Sequence, residues 1–159
     1  MRKLILSLPI LFAFMLVITG CGSKVVEPTA TENLTKNWNV DIASHDGTQV
    51  YKKGGTTNTV TTYANYRLGL ATGGTAILTT ADASNTTFNG TWALSTDNKT
   101  LTLSGLKTSG GVAPTGLKIA SQMVFDITSA ITATAVTIRG TESDLKIGGK
   151  TVTLQLVNP

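Results

Sequence analysis

Residues 88–103 constrain this chain more than any other stretch. Phe88, Gly90, Trp92 and Leu94 alternate with small or polar residues, the period-two pattern of a strand with one buried face. Thr96-Asp97-Asn98-Lys99 is made of turn formers. If those four residues close a hairpin, Ser95 faces Thr100, Leu94 faces Leu101, Ala93 faces Thr102 and Trp92 faces Leu103. The large apolar side chains then meet across the strands, where each such pair contributes about 0.2–1 kcal/mol. A slip of one residue would turn the whole set outward. Gly90 has nothing bulky opposite it, which predicts a bend in the strand.

The remainder reads the same way. Threonine is the commonest residue, with many Val, Ile and Gly and only four Pro. Residues branched at Cβ suit a pleated surface. No window after residue 36 holds the helical apolar spacing for three turns. A single helical turn is expected at residues 31–36, capped by Thr31. Strands are expected around 38–43, 48–51, 59–70 and 75–80, then at 123–128 and 134–139. A further one is placed so that Arg139 faces Asp144, Ile138 faces Leu145 and Val136 faces Ile147. Gly148-Gly149 would turn that strand back to set Leu145 against Val152, with Leu154 and Leu156 continuing the face. Gly105, Gly110, Gly111, Pro114 and Gly116 predict a long loop over 105–118, and loops that long are functional or mobile. The expectation is an all-β domain over 31–159: an antiparallel meander of about eight short strands. Closing it into a barrel removes the exposed edges.

The amino terminus says where such a domain works. Arg2 and Lys3 precede an apolar run from Leu4 to Ile18. That run is shorter than the roughly 20 residues a membrane span needs, and its flanks fit an export signal. Ile18-Thr19-Gly20-Cys21 follows, with the only cysteine in the chain. These residues resemble the lipobox of bacterial lipoproteins at all four positions. The resemblance implies a signal peptide at 1–20, cleavage before Cys21, and acylation of Cys21 that anchors the protein to a lipid bilayer. Residues 21–30 read as a lipidated tether, small, polar and broken by Pro28. No Asp follows Cys21, which by the same resemblance argues for the outer membrane of the cell envelope.

Cleavage would remove 20 of the 159 residues, leaving 139, enough for one domain with its own core. It would also leave 11 basic residues against 9 acidic, a net charge of +2. That near balance, without a basic stripe, argues against nucleic acid. With one cysteine no intrachain disulfide forms.

A second resemblance covers most of 31–157. Leu34 to Trp38, Gly90-Thr91-Trp92-Ala93-Leu94 and Asp97-Asn98-Lys99-Thr100-Leu101-Thr102-Leu103 resemble the lipocalin-like domain of bacterial lipoproteins. There an early tryptophan follows a short helical turn, and a Gly-x-Trp strand pairs with a Leu-Thr-Leu strand. Lys36 stands where lipocalins proper prefer glycine. The resemblance implies a lipocalin-like barrel that binds a small hydrophobic ligand, with Trp38, Trp92, Tyr63 and Tyr66 as the candidate binding residues.

The residues themselves argue little for chemistry. Ser44-His45-Asp46 has the residue types of a hydrolase triad, but neighbours on a strand point to opposite faces and cannot form the relay. Asp41, His45 and Asp46 could touch a metal, but two carboxylates and one histidine near a turn are common by chance, and the alternative is a solvated turn. Glu142 and Asp144 lack the second carboxylate pair that glycoside cleavage uses. Gly54-Gly55 and Gly73-Gly74 lack the Lys-Ser/Thr and the helix of a phosphate loop. The chain is therefore expected to be no enzyme and to need no cofactor or metal. Two functions remain open: a ligand-binding module, or a structural or accessory envelope protein whose filled barrel meets a protein or glycan partner. An eight-stranded barrel permits both, since its interior is filled by side chains or holds one small ligand.

Overall fold

The computed structural model describes residues 26–142 and 149–159. Their sheet has nine strands in one antiparallel meander: β1 (Asn37–His45), β2 (Thr48–Lys52), β3 (Arg67–Leu70), β4 (Thr75–Thr79), β5 (Thr87–Leu94), β6 (Thr100–Lys107), β7 (Met123–Ile127), β8 (Ala135–Gly140) and β9 (Val152–Val157). The last strand returns to the first, from Asn39 opposite Val157 to His45 opposite Val152. Eight strands thus close into a barrel, and β2 is extra. It pairs with the second half of the β1 edge whose first half pairs with β3.

The 88–103 hairpin has the expected register: Leu94 opposite Leu101, Ala93 opposite Thr102, Trp92 opposite Leu103. The Ser95 hydroxyl donates to the Asp97 carboxylate at 2.6 Å and accepts from Thr100 N–H at 2.9 Å, so two side chains hold the turn. The strand bends at Gly90, where the pairing slips between Asn89 and Thr91. A Cβ on Gly90 would lie 2.5 Å from the Ser104 carbonyl oxygen, so only glycine fits the bulge. Gly105 opposite it takes φ +65, a conformation that costs glycine little. The strand therefore runs on through buried Leu106 to Lys107, and the loop expected from 105 begins at 108.

Three further expectations are corrected. The short helix α1 (Ala30–Leu34) is capped by Thr29, not Thr31. Thr29 and Glu32 form a reciprocal capping box: Glu32 N–H donates to the Thr29 hydroxyl at 3.2 Å, and Thr29 N–H donates to the Glu32 carboxylate at 2.7 Å. Residues 59–66 are not strand. Thr61–Asn65 is a 3₁₀ turn, whose three-residue period turns both Tyr63 and Tyr66 to the interior. Finally, β8 pairs directly with β9, Val136 opposite Leu156 and Ile138 opposite Leu154. Its other edge is taken by β7, so neither edge is left for the strand expected at 144–147. Those residues, Asp144 included, and the turn residue Gly148 lie outside the described residues. Arg139 instead donates to Asp126 at 2.9 Å.

The registers give the barrel two unlike ends. At one lie α1, the turns at 71–74 and 95–99, and the 128–134 connection. At the other lie the 46–47 turn, the 3₁₀ turn, and the loops at 80–86 and 108–122. The first end is closed. Leu34 and Trp38 are both buried, and Trp38 Nε1 donates to the Leu34 carbonyl at 2.9 Å, bolting α1 to β1. Trp92 Nε1 donates to the Ala71 carbonyl at 2.9 Å. Lys36 Nζ crosses this end to the Ala133 carbonyl at 2.6 Å.

Candidate functional site

The second end is hollow. A cavity of about 310 Å³ opens there between the barrel wall, the 3₁₀ turn and the loops, lined by Leu78 of β4, Phe125 of β7 and Leu154 of β9, with Tyr63 and Tyr66 over them. Its size is at the lower bound of ligand pockets, about 300–1,000 Å³. Among the described residues, the strands that wall the cavity end in loops and no helix plugs it. Thr80, Ala81 and Asp82 follow β4, and Pro114, Thr115 and Leu117 reach in from the 108–122 loop.

Of the four binding residues expected from the sequence, two meet here. Tyr63 and Tyr66 line the cavity; Trp38 and Trp92 do not. Trp38 is sealed in the closed end, and Trp92 borders a surface groove beside α1. Cys21 lies outside the described residues. The separation of the tryptophans from the tyrosines has a local cause. Both indoles are committed by their N–H groups to backbone carbonyls near the helical end, whereas the tyrosines ride on the 3₁₀ turn that follows β2.

His45 is the buried polar side chain of the core among the described residues. A pairing irregularity between Val40 and Ile42 shifts the strand's parity, so that Ala43 and His45 face inward after Trp38 and Val40. His45 Nε2 lies 2.8 Å from the Tyr63 hydroxyl, and the two rings meet edge to face at 5.8 Å. Tyr51 packs on the same tyrosine at 6.1 Å. This cluster fixes the 3₁₀ turn against β1. It also disposes of Ser44-His45-Asp46 as a relay: Asp46 is exposed and its carboxylate accepts the Thr151 N–H at 2.9 Å, away from the imidazole. No three of His, Cys, Asp or Glu gather in metal-binding reach among the described residues.

Tyr66 differs from Tyr63. Its hydroxyl is buried and has no hydrogen-bond partner among the described residues. Burial, and secondarily the neighbouring Tyr63, push its pKa well above the ordinary 10.0, so the group stays a neutral hydroxyl. Sequence reasoning found both tyrosines but neither His45 nor the walls Leu78, Phe125 and Leu154. The alternation of β4, β7 and β9 marks those as inward residues, yet alternation does not say which inward residues border empty space. In comparisons with known proteins, the chain matches no family model and has no significant match among curated proteins.

Proposed function

We propose that this is a lipid-anchored envelope protein with a lipocalin-like barrel that holds a small hydrophobic ligand at its open end. The observation that carries the ligand is the apolar cavity of about 310 Å³. The anchor rests on the Ile18-Thr19-Gly20-Cys21 motif. In this reading Cys21 is acylated, and the protein is held at the outer membrane and acts by binding, without catalysis. The tether enters the fold at Ala30, at the closed end.

Two experiments test it. A neutral solvatochromic dye should gain fluorescence saturably with the protein, and Ala81→Trp, which fills the mouth, should abolish the gain. An unchanged response in that variant would place the binding elsewhere. For the anchor, cells fed a labelled fatty acid should incorporate it into the wild type and not into Cys21→Ala. Equal labelling of the two would refute the lipobox reading. Each buried CH₂ of an acyl chain contributes about 0.8 kcal/mol, so two or more chains hold the protein stably.

A second reading draws on the closed half. There the interior is packed with Leu34, Trp38, Leu70 and Leu156, none of which lines the cavity. An accessory protein with a largely filled barrel, meeting a protein or glycan partner through its outer face, would leave the dye without effect.

A further inference from the structure

The cavity has a chemical bias of its own. Leu78, Phe125 and Leu154 make its walls, and among the described residues no lysine or arginine lines it. Lys118 borders the adjoining depression but is paired with Glu142 at 3.6 Å. A carboxylate entering here would shed its water and find no lysine or arginine among the described lining residues. Burying an unpaired anion on those terms is strongly disfavoured.

The lining also contains an anomaly. Tyr63 has its hydroxyl against His45, but the hydroxyl of Tyr66, a residue only 6 % exposed, has no partner among the described residues. Nearly all buried polar groups in folded proteins are hydrogen-bonded, so an exception calls for a reason. Because the group stays protonated, it is a donor. A ligand offering an acceptor would complete it.

We infer that the cavity takes a small, uncharged, largely apolar molecule bearing one hydrogen-bond acceptor, a ketone, ester or ether oxygen, and that Tyr66 donates to that oxygen. This rests on the ligand-binding reading above and narrows it. The Tyr66 oxygen is covered in the present conformation. The ligand reaches it when the ring turns toward the cavity it borders, and the hydroxyl then gains the hydrogen bond it lacks.

Three probes of one shape separate these statements: acetylnaphthalene, with a carbonyl acceptor; ethylnaphthalene, with none; and naphthoate, an anion. Calorimetric titration uses the full chain in lipid nanodiscs, with protein-free nanodiscs as the blank. At neutral pH acetylnaphthalene should bind about five- to tenfold more tightly than ethylnaphthalene, the effect of one net hydrogen bond. Naphthoate should bind most weakly of the three and recover when the pH is lowered until it is protonated. Tyr66→Phe should erase the advantage of the ketone over ethylnaphthalene, and a cooperative urea melt like that of the wild type reports that the variant is folded. If naphthoate matches the ketone at neutral pH, or Tyr66→Phe keeps the ketone's advantage, the inference is overturned and the ligand-binding reading stands. If none of the three binds above the blank, both fall.

Discussion

The two ends of the barrel are built from the same strands and solve opposite problems. At the helical end, two indoles fill the interior and satisfy their N–H groups on the carbonyls of Leu34 and Ala71. Lys36 straps across to Ala133. At the other end, two tyrosines on a 3₁₀ turn cover an apolar hollow, and one of them leaves its hydroxyl without a partner among the described residues. Dense packing with complete hydrogen bonding is where a small barrel gathers its stability. A hollow with an unsatisfied group subtracts from it. Such a division places the stable scaffold at one end and the adaptable surface at the other, as binding sites on rigid frames require.

The largest test of this contrast is at the closed end. Trp38→Ala and Trp92→Ala should each lower stability by about 3–5 kcal/mol, the range for emptying a buried tryptophan site, in urea melts of the purified protein. A loss under about 1 kcal/mol from Trp92→Ala would contradict the pairing with Leu103.

At the open end the same kind of truncation should cost less. Met123 lines the cavity and is half-buried, so Met123→Ala should lose about 2 kcal/mol, the low end for such changes. A cost equal to that of the tryptophans would mean that the two ends are equally packed.

Tyr66→Phe should go the other way. Deleting a buried hydroxyl without a partner relieves a desolvation cost of about 1 kcal/mol or more, so the variant should melt slightly later than the wild type. The pH dependence has a definite sign. The folded state holds Tyr66 above its ordinary value of 10.0. Stability from this group is therefore intact below pH 10.0 and declines as the pH rises above it, because the unfolded chain ionises first. In Tyr66→Phe that part of the alkaline decline should vanish. An unchanged alkaline profile would mean that the hydroxyl is solvated in the folded state and its pKa not raised.

The smallest effect concerns the plug. Thr29→Ala removes the α1 cap and should cost about 1 kcal/mol, read as a lower melting temperature. The capping bonds from the Thr29 N–H and hydroxyl lower the Glu32 carboxyl pKa below its ordinary 4.5. The part carried by the Thr29 hydroxyl's bond to the carboxylate is present above that value and fades as the pH falls below it, so the gap between wild type and variant should narrow in acid to what the Glu32 N–H bond to the hydroxyl contributes. A constant gap would assign the whole Thr29 effect to the Glu32 N–H bond and none to the carboxylate.

Much of the barrel was legible because alternation and turn chemistry are local. The 88–103 hairpin illustrates this: its turn residues, its apolar pairs and its bend at Gly90 all lie within sixteen consecutive positions, and each points to the same register. Where local signals were equivocal the expectation failed. Tyr63 and Tyr66 sit among threonines that favour a strand, yet burying both tyrosines on one wall selected a 3₁₀ turn. The capping box, by contrast, was readable: Thr29 and Glu32 have its spacing, and Thr31 does not stand three residues before an acidic side chain.

The linear chain already carries the all-β class, the alternating inward residues and the hairpin register, because each depends on neighbours within a few positions. It also carries the Cys21 motif, which lies outside the described residues. Packing in three dimensions is what pairs β9 with both β8 and β1, sets Trp38 and Trp92 in one end and brings Tyr63 and Tyr66 over a hollow at the other. Those outcomes depend on which inward side chains share a level once the sheet is rolled. That is set by the stagger of eight strands together, and no short stretch of chain contains it.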